Sequence, residues 1–220
     1  STTTLTLRAE GHRGIDFVPG QYAWFGIGRS PFGLTKHPFS FSSSSETTGS
    51  VEVSIKALGD FTSTVGDLPV GTKVFVDGPH GVFSPDLYEG PGFCLIAGGV
   101  GITPTMSILR TFADRDDRRP ILAMVASNNW DDITFREELD EIAQRENVTI
   151  VHTLSDPPED WQDERGRIDA AMLNRYLPTG SHRWQYFICG PDPMMDAMED
   201  ALLELDVPDS RIHTERFGWV

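Results

Sequence analysis

Small hydroxyl groups and aromatic rings are concentrated in one short stretch, residues 37–46, with the sequence HPFSFSSSSE. Phe39 and Phe41 alternate with Ser40 and Ser42, and three more serines follow directly. Aromatic rings stack on flat heteroaromatic rings, and a neighbouring hydroxyl can form a hydrogen bond with a ring nitrogen. The stretch therefore predicts a strand that binds a planar ligand, with donors for phosphate or ribose in the serines after it. A barrel strand followed by a serine-rich turn is the alternative interpretation.

A second stretch, FCLIAGGVGITP, places glycines between an apolar run and a helical pattern. Glycines let a diphosphate approach the backbone, and the free N–H groups of a helix start attract anions. We expect Gly99 and Gly101 to line such a site, with Thr103 as N-cap and Pro104 at the first helical position. Pro104 stands where the usual dinucleotide fingerprint has its third glycine, so a plain strand–turn–helix connection is the alternative.

Two further segments have the composition of binding sites. In IKALGDFTSTV, a lysine precedes a predicted helix start rich in hydroxyls, which predicts a second phosphate site. In QYFICGPDP, an apolar strand ends at Cys189, and ligands of parallel sheets bind at such strand ends. We expect Cys189 to face the same crevice as Gly99, although most free cysteines are buried core thiols. The residues concerned are Lys56, Phe61, Thr62, Ser63, Thr64, Cys189, Gly190 and Pro191.

Composition excludes several classes of protein. The 220 residues include 18 basic and 33 acidic side chains, a net charge of −15, whereas nucleic-acid binders need a basic surface. Two cysteines are too few for a four-thiolate iron–sulfur cluster or a disulfide framework. The six histidines are scattered, so no metal site is predicted. No apolar run reaches the roughly 20 residues that span a bilayer.

The elements that must position these residues change in type near residue 90. Six short alternating runs before it, punctuated by glycine and proline, predict an antiparallel Greek-key β-barrel. After it, four continuous apolar runs alternate with helical patterns, which predicts a parallel α/β sheet. We expect two domains, residues 1–90 and 91–220. The predicted barrel strands are TLTLRAE, QYAWFGIG, HPFSFSS, VEVSIKAL, TKVFVDGP and GVFS.

The order of HPFSFSS, GDFTSTV, GGVGITP, CGPDPMM and a final ERFGWV resembles the ferredoxin–NADP reductase superfamily along the whole chain. The resemblance implies that the first domain binds FAD and the second a nicotinamide dinucleotide. The family's Arg-x-Tyr-Ser motif holds the flavin, and here Phe39 replaces Tyr, Ser40 is kept and His37 replaces Arg. His37 in place of Arg implies a weaker hold on the flavin diphosphate.

The resemblance also implies roles for residues elsewhere in the chain. Ser40, Cys189, Glu215 and Phe217 are the expected catalytic residues, with Phe217 covering the flavin and Trp219 as its rival; an edge strand is the alternative for this segment. Cofactor contacts are expected from the residues of both halves that match the motifs or follow the second α/β strand. These are His37, Pro38, Phe39, Ser40, Phe41, Ser42, Lys56, Phe61, Thr62, Ser63, Thr64, Gly99, Gly101, Thr103, Pro104, Ser127, Asn128, Gly190, Pro191 and Phe217.

The His-Pro-Phe-Ser motif resembles the branch of ferric reductases and NADPH-oxidase-type enzymes. There a flavin domain follows a haem-bearing membrane domain, which implies a haem acceptor and a place at the cytoplasmic face of a membrane. The chain begins at Ser1 without Met, so we expect it to continue upstream. Alternatives are a freestanding cytoplasmic reductase with a soluble acceptor and a non-catalytic FAD-binding docking module.

The choice between NADH and NADPH depends on residues after the second α/β strand. Residues 121–135 contain neither Arg nor Lys, the usual partners of a 2′-phosphate. Asp131 and Asp132 lie there instead, and Arg136 is the nearest cation. The two aspartates can also be read as charges that complement a helix N-terminus. The sequence favours NADH.

Overall fold

The computed structural model describes residues 2–28 and 36–217. The first part contains two small antiparallel sheets. One pairs β1 (Thr2–Arg8) with β4 (Ser50–Lys56), and the other has the order β3 (His37–Ser40), β2 (Tyr22–Ile27), β5 (Val74–His80). A single bridge between Phe41 and Val53 joins the sheets. The predicted antiparallel β domain is confirmed.

Side chains alternate between the two faces of each strand, and those that point inward form the barrel core between the two sheets. In β4, Val51, Val53 and Ile55 point inward, and in β2, Ala23 and Phe25 do so. The short helix α1 (Asp60–Thr64) follows β4, close to its predicted start. The sixth predicted strand, GVFS, is wrong, because residues 81–84 form no strand. Its Phe83 instead packs edge-on against Phe187, with ring centroids 5.2 Å apart, in the core of the second part.

The second part is a six-stranded sheet with every pair parallel, in the order β11-β10-β6-β7-β8-β9. Its central strands are buried on both faces, which explains their continuous apolar runs. The predicted parallel α/β sheet is confirmed. The strands are β6 (Phe93–Gly98), β7 (Ile121–Ser127), β8 (Val148–Leu154), β9 (Glu164–Arg165), β10 (Gln185–Cys189) and β11 (Ile212–Glu215).

Four helices cover the sheet, and two buried clusters fill the space on its faces. The helices are α2 (Ile102–Asp114), α3 (Arg136–Ile142), α4 (Ala170–Tyr176) and α5 (Asp192–Glu204). The strand order reverses between β6 and β10, since β7 to β9 lie on one side of them and β11 on the other. In open α/β sheets a ligand crevice lies outside the carboxyl ends of the strands at that point.

Two predicted helix starts are wrong. Helix α2 begins at Ile102 with Gly101 as N-cap, two positions before the predicted Thr103 cap. Pro104 lies at the third helical position, which is tolerated because its missing N–H belongs to the unpaired first turn. Asp131 and Asp132 lie in a 3₁₀ turn, not at the start of α3. That helix begins later, after Phe135, which adopts left-handed backbone angles with φ of 62°.

None of the helices among the described residues is long and apolar enough to cross a bilayer.

Candidate flavin and nicotinamide site

Ser40 ends β3 on the strand face opposite the one that carries Phe39, and only 4% of its surface is exposed. Its Oγ is buried and has no hydrogen-bond partner among the described residues. A buried hydroxyl without a partner loses the free energy of its hydrogen bonds to water. The unpaired hydroxyl therefore marks a place where a ligand atom can complete the hydrogen bonding, which fits the flavin contact implied by the resemblance.

Aromatic rings of β3 and α1 form a flat surface. The His37 and Phe61 rings stack with centroids 3.7 Å apart and planes inclined by 10°, and Phe39 lies parallel to Phe61 at 6.3 Å. Burial lowers the pKa of His37, which favours its neutral form. His37 therefore contributes a ring surface rather than the cationic phosphate contact that an arginine supplies. Pro38 is exposed on the opposite side of the strand.

The remaining residues of the serine-rich stretch have a structural role, so two predicted ligand contacts are corrected. Phe41 is fully buried in the barrel core, with its ring centroid 4.3 Å from that of Phe17. Ser42 is also fully buried, and its hydroxyl pairs with that of Ser54 at 2.9 Å. The side chains of Phe41 and Ser42 thus offer no surface to a cofactor.

The predicted second phosphate site lies at the short helix α1. Its three hydroxyls are satisfied within the turn: Thr62 accepts from the Gly59 N–H at 2.9 Å, and Ser63 and Thr64 donate to carbonyls at 2.8 Å. Only backbone N–H groups remain for an anion. Lys56, at the end of β4, forms no ion pair among the described residues. The phosphate role of this segment stays a prediction.

The glycine turn after β6 lies tightly against the end of β10. A Cβ at Gly101 would overlap the carbonyl oxygen of Cys189, and a Cβ at Gly98 would lie 2.6 Å from the sulfur of Met194. Gly99 differs, because it is exposed, has φ of 55° and has nothing within 4 Å of a Cβ position. Two glycines therefore allow close packing, and Gly99 leaves the crevice open for a ligand.

The hydroxyl and ring after this turn are not free to bind. Thr103 is buried and donates its hydroxyl hydrogen to the Val100 carbonyl at 3.0 Å. Pro104 is buried in the first turn of α2. Their contribution to a diphosphate site is therefore to shape the turn, while the N–H groups of the turn and of α2 supply the donors.

Cys189 and Glu215 lie side by side at the carboxyl edge of the sheet, as register partners of β10 and β11. Cys189 is fully buried, and burial, then the Glu215 charge, raises the pKa of its thiol well above the ordinary value. Burial also raises the pKa of Glu215. The thiol is therefore neutral at pH 7, so its contribution to chemistry is steric and polar and not that of a thiolate.

Glu215 connects the two halves of the site. Its Oε2 lies 3.5 Å from the Cβ position of Gly81, where the Tyr22 ring also lies at 3.2 Å. Tyr22 is in turn the β2 register partner of Ser40. Glu215 of the parallel sheet thus approaches the barrel close to Tyr22, the neighbour of Ser40 in the next strand. Tyr22 and Gly81 carry no signal in the sequence, since only strand register reveals them.

Phe217 packs against the core cluster that contains Cys189, Phe83 and Phe187. This position agrees with an aromatic residue at the nicotinamide end of the cleft. Arg216 holds the segment in place through hydrogen bonds to Asp192 at 3.4 Å and Asp196 at 2.6 Å of α5. Trp219, the alternative covering residue, lies outside the described residues.

The region after β7 contains the predicted ribose contacts. Ser127 and Asn128 accept backbone hydrogen bonds from Ser155 and Asp156 at 3.1 and 2.7 Å, which leaves their side chains available. The Arg136 guanidinium lies 4.4 Å from the Trp130 ring centroid. The Arg136 guanidinium therefore already interacts with an aromatic ring, and we expect it to bind a 2′-phosphate less readily.

Comparison with known families assigns both halves of the chain. Residues 2–84 match the family described as an FAD-binding domain, and residues 95–200 match the oxidoreductase NAD-binding domain. The predicted cofactors, FAD and a nicotinamide dinucleotide, are confirmed at this level. The two matches also lie on either side of the predicted boundary near residue 90.

Curated relatives include electron-transfer enzymes. The chain is 31% identical over 170 residues to NADH-cytochrome b5 reductase 1 of Debaryomyces hansenii, covering 74% of this chain and 59% of that protein. It is 30% identical over 194 residues to nitrate reductase [NADPH] of Emericella nidulans, covering 78% of this chain and 22% of that protein. The chain thus spans less than two thirds of the length of either relative.

Solved structures share the arrangement of both parts. The FAD/NAD-binding domain of nitric oxide dioxygenase from Vibrio cholerae is 27% identical, with a TM-score of 0.84, and the match covers 99% of this chain and 93% of that one. The cytochrome b5 reductase domain of Ulva prolifera nitrate reductase has a TM-score of 0.84 at 22% identity, covering 97% and 91%, and shows the fold alone. With its antiparallel FAD-binding part and parallel NAD-binding part, the chain belongs to the ferredoxin–NADP reductase superfamily.

Proposed function

We propose that this chain is an FAD-dependent NAD(P)H oxidoreductase domain that passes electrons singly to a haem acceptor. The observation that carries the proposal is the buried Ser40 hydroxyl without a partner, in a barrel that Glu215, the register partner of Cys189, approaches at Gly81. When bound, FAD accepts a hydride from a reduced nicotinamide and can release the two electrons one at a time. The chain's own residues hold, orient and shield the reacting groups.

Each side of the cleft has a defined task in this mechanism. Ser40 would donate its hydroxyl hydrogen to the flavin ring, and the rings of Phe39, Phe61 and His37 would provide a flat apolar surface for the cofactor. The turn at Gly99 and the start of α2 bind the dinucleotide diphosphate through backbone N–H groups. Cys189, buried and neutral, forms a compact wall for the nicotinamide.

Glu215 and Phe217 control access to the cleft. Phe217 occupies the nicotinamide end and is displaced when the nicotinamide enters. The carboxyl of Glu215, whose pKa burial raises, lies next to Cys189 and reaches the barrel side at Gly81. Its position suits a hydrogen bond to the nicotinamide amide, which fixes the face that the ring presents.

Removal of the Cys189 thiol tests the nicotinamide side. We expect Cys189→Ala to lower the rate of flavin reduction at saturating NADH by about tenfold. The smaller side chain would no longer hold the nicotinamide at the distance and angle that hydride transfer requires. FAD affinity should change little, since Cys189 lies on the opposite side of the cleft. Single-turnover reduction and FAD titration separate the two effects, and an unchanged reduction rate contradicts the assigned role.

NADH is the proposed donor. Asp131 and Asp132 put negative charge after β7, and Arg136 stacks on Trp130. A 2′-phosphate is therefore repelled without a free cation to bind it. The relative from Debaryomyces hansenii is named as an NADH enzyme, which supports this choice, whereas the Emericella nidulans relative is named for NADPH.

The proposed acceptor is haem carried by a membrane domain of the same polypeptide, which places this domain at the cytoplasmic face of a membrane. The His-Pro-Phe-Ser motif and the cytochrome b5 reductase relatives support a haem acceptor. The test measures NADH-dependent reduction of a haem protein and of ferric chelates by the FAD-loaded chain. Haem reduction far faster than chelate reduction supports the proposal, and the reverse order favours a freestanding reductase with a soluble acceptor.

A further inference from the structure

Helix α2 contacts both halves of the molecule. Arg110 and Thr111 follow Ser107 by three and four residues, so both lie on the same face of the helix as Ser107. That face meets the serine-rich stretch of the barrel. Ser107 donates its hydroxyl hydrogen to the Ser43 carbonyl at 2.8 Å, and the Ser45 N–H donates to the Thr111 hydroxyl at 2.9 Å.

Arg110 is the centre of this contact. Its Nε and Nη2 donate to the two carboxylate oxygens of Glu138 in α3, each at 2.6 Å. Its Nη1 donates to the Ser42 carbonyl at 2.7 Å and to Glu52 of β4 at 3.1 Å. The guanidinium also lies 5.1 Å from the Phe135 ring centroid. Two of these four hydrogen bonds cross to the FAD-binding part, at Ser42 and Glu52, and the other two fasten the guanidinium to α3 within the NAD-binding part.

The chemistry of this contact requires arginine. The Arg110 side chain is only 19% exposed, so its charge must be compensated by the protein. A planar guanidinium can bind one carboxylate with two parallel hydrogen bonds and still donate in another direction, whereas an ammonium acts as a single point charge. Arg110 therefore fixes the orientation of the two parts relative to each other as well as the distance between them.

The contact lies close in sequence to both predicted cofactor sites. Ser40 is two residues from Ser42, whose carbonyl Arg110 binds, and Arg110 is eight residues along α2 from Ile102 at the glycine turn. Eight helical residues span about 12 Å. The stretch that follows Ser40 and the helix that follows the glycine turn are thus joined by several hydrogen bonds, of which those of Arg110 also reach β4 and α3.

We propose that Arg110 is a positioning residue that sets the separation of flavin and nicotinamide for hydride transfer. The proposal rests on the proposed function, because it assumes that both cofactors bind where that function places them. Reacting atoms must approach to about 3–3.5 Å, and a misplacement of about 1 Å can cost about a hundredfold in rate. A change at Arg110 therefore acts on the reaction without touching either cofactor.

The test compares Arg110→Met and Arg110→Lys with Arg145→Met. Arg145 is a matched control, since its side chain is 25% exposed and its hydrogen bonds go to Asp116 and Asp117 within the NAD-binding part. For each FAD-loaded protein we measure the affinity for NAD⁺, the single-turnover reduction rate at saturating NADH, and the rate of reduction by dithionite, which needs no nicotinamide.

We expect Arg110→Met to reduce at least about tenfold more slowly with saturating NADH, while NAD⁺ affinity and dithionite reduction stay within about twofold. Arg110→Lys should recover part of the rate, and Arg145→Met should match the unmodified protein. If Arg110→Met reduces normally, or if more NADH restores its rate, Arg110 does not position the cofactors. If Arg110→Met does not fold, Arg110→Lys decides in the same way: a normal rate overturns the proposal.

Failure of the proposed function gives a different result. In that case the unmodified protein itself is not reduced by NADH, although it binds FAD and is reduced by dithionite.

Discussion

At the scale of single residues, the site is distinguished by hydroxyls that look alike in sequence but differ in partners. Ser42 pairs with Ser54, and Ser43 accepts from the Glu52 N–H at 3.0 Å. Ser40 is equally buried and has no partner. Since natural interiors satisfy almost all buried polar groups, one unpaired hydroxyl in the strand that carries two of the stacked rings is an indication of a binding site.

This difference predicts opposite effects for two similar substitutions. In protein without FAD, Ser40→Ala should leave stability unchanged or raise it by up to about 1 kcal/mol, because a buried unpaired group is removed. The same change should weaken FAD binding at least about fivefold, through the lost hydrogen bond. Thermal unfolding and FAD titration measure the two effects.

Ser42→Ala is the matched control for this prediction. It should lower stability by about 1 kcal/mol, because it leaves the Ser54 hydroxyl with one partner fewer. Its FAD affinity should stay unchanged. An Ser40→Ala protein that is less stable without FAD, or that binds FAD normally, contradicts the role assigned to Ser40.

His213 makes the fold sensitive to acid. Burial lowers the pKa of His213 from 6.5 to about 4, and the neutral ring stacks on Tyr88 at 3.7 Å and contacts Gln185 at 2.9 Å. Between pH 6.5 and about 4 the unfolded chain binds the proton and the folded chain does not. Stability therefore falls as the pH falls through this window, by up to about 3 kcal/mol.

Urea unfolding at pH 7, 5.5 and 4.5 measures this contribution. His213→Gln should be less stable at pH 7, because the stacking is lost, yet it should lose less stability on acidification than the unmodified protein. His182→Gln, at an exposed histidine, is the control and should keep the original pH dependence. An identical pH dependence in His213→Gln would exclude His213 as the source.

At the scale of elements, the position of the ligand crevice follows from where two neighbouring strands end. The crevice forms where β6 and β10 end next to each other, because the glycines there permit the turn of one strand to lie against the next. Of the glycines at these two strand ends, only Gly99 faces open space, and it has a left-handed φ of 55°. Its lack of a side chain is therefore not required by packing, and we propose that it serves a ligand.

Gly99→Ala tests that reading against Gly71→Ala. Gly71 also has positive φ, 86°, and nothing near its Cβ position, but it lies in a turn of the barrel part. Both changes should cost roughly 1–2 kcal/mol of stability through backbone strain. Only Gly99→Ala should weaken NAD⁺ binding, by about tenfold. Equal NAD⁺ affinity in the two variants, measured by titration, would remove Gly99 from the site.

Element types were predictable here, and element ends were not. The continuous apolar runs of β6, β7 and β10 predict buried parallel strands because only such strands are apolar on both faces. The start of α2 was misplaced because proline at the third helical position looks like proline at the first. The strand predicted at residues 81–84 failed because Phe83 packs into the neighbouring core, a tertiary effect with no local signal.

At the scale of the whole molecule, function depends on how the two parts are joined. The sequence indicates both cofactor sites, because the motif around Ser40 and the glycine turn are local patterns. It does not indicate that Ser42 and Ser43 bind α2, since those hydrogen bonds join residues more than sixty positions apart. The later serines of the stretch thus form the contact between the two parts, and we propose that only its first serine, Ser40, binds the flavin.

The central claim is that NADH reduces a flavin held at Ser40. The most direct measurement mixes the FAD-loaded chain with NADH, and separately with NADPH, without oxygen, and follows the visible flavin absorbance in a single turnover. We expect the visible flavin absorbance to fall rapidly, and to fall faster with NADH than with NADPH. Flavin that is bound and reducible by dithionite but stays yellow with both nucleotides would contradict it.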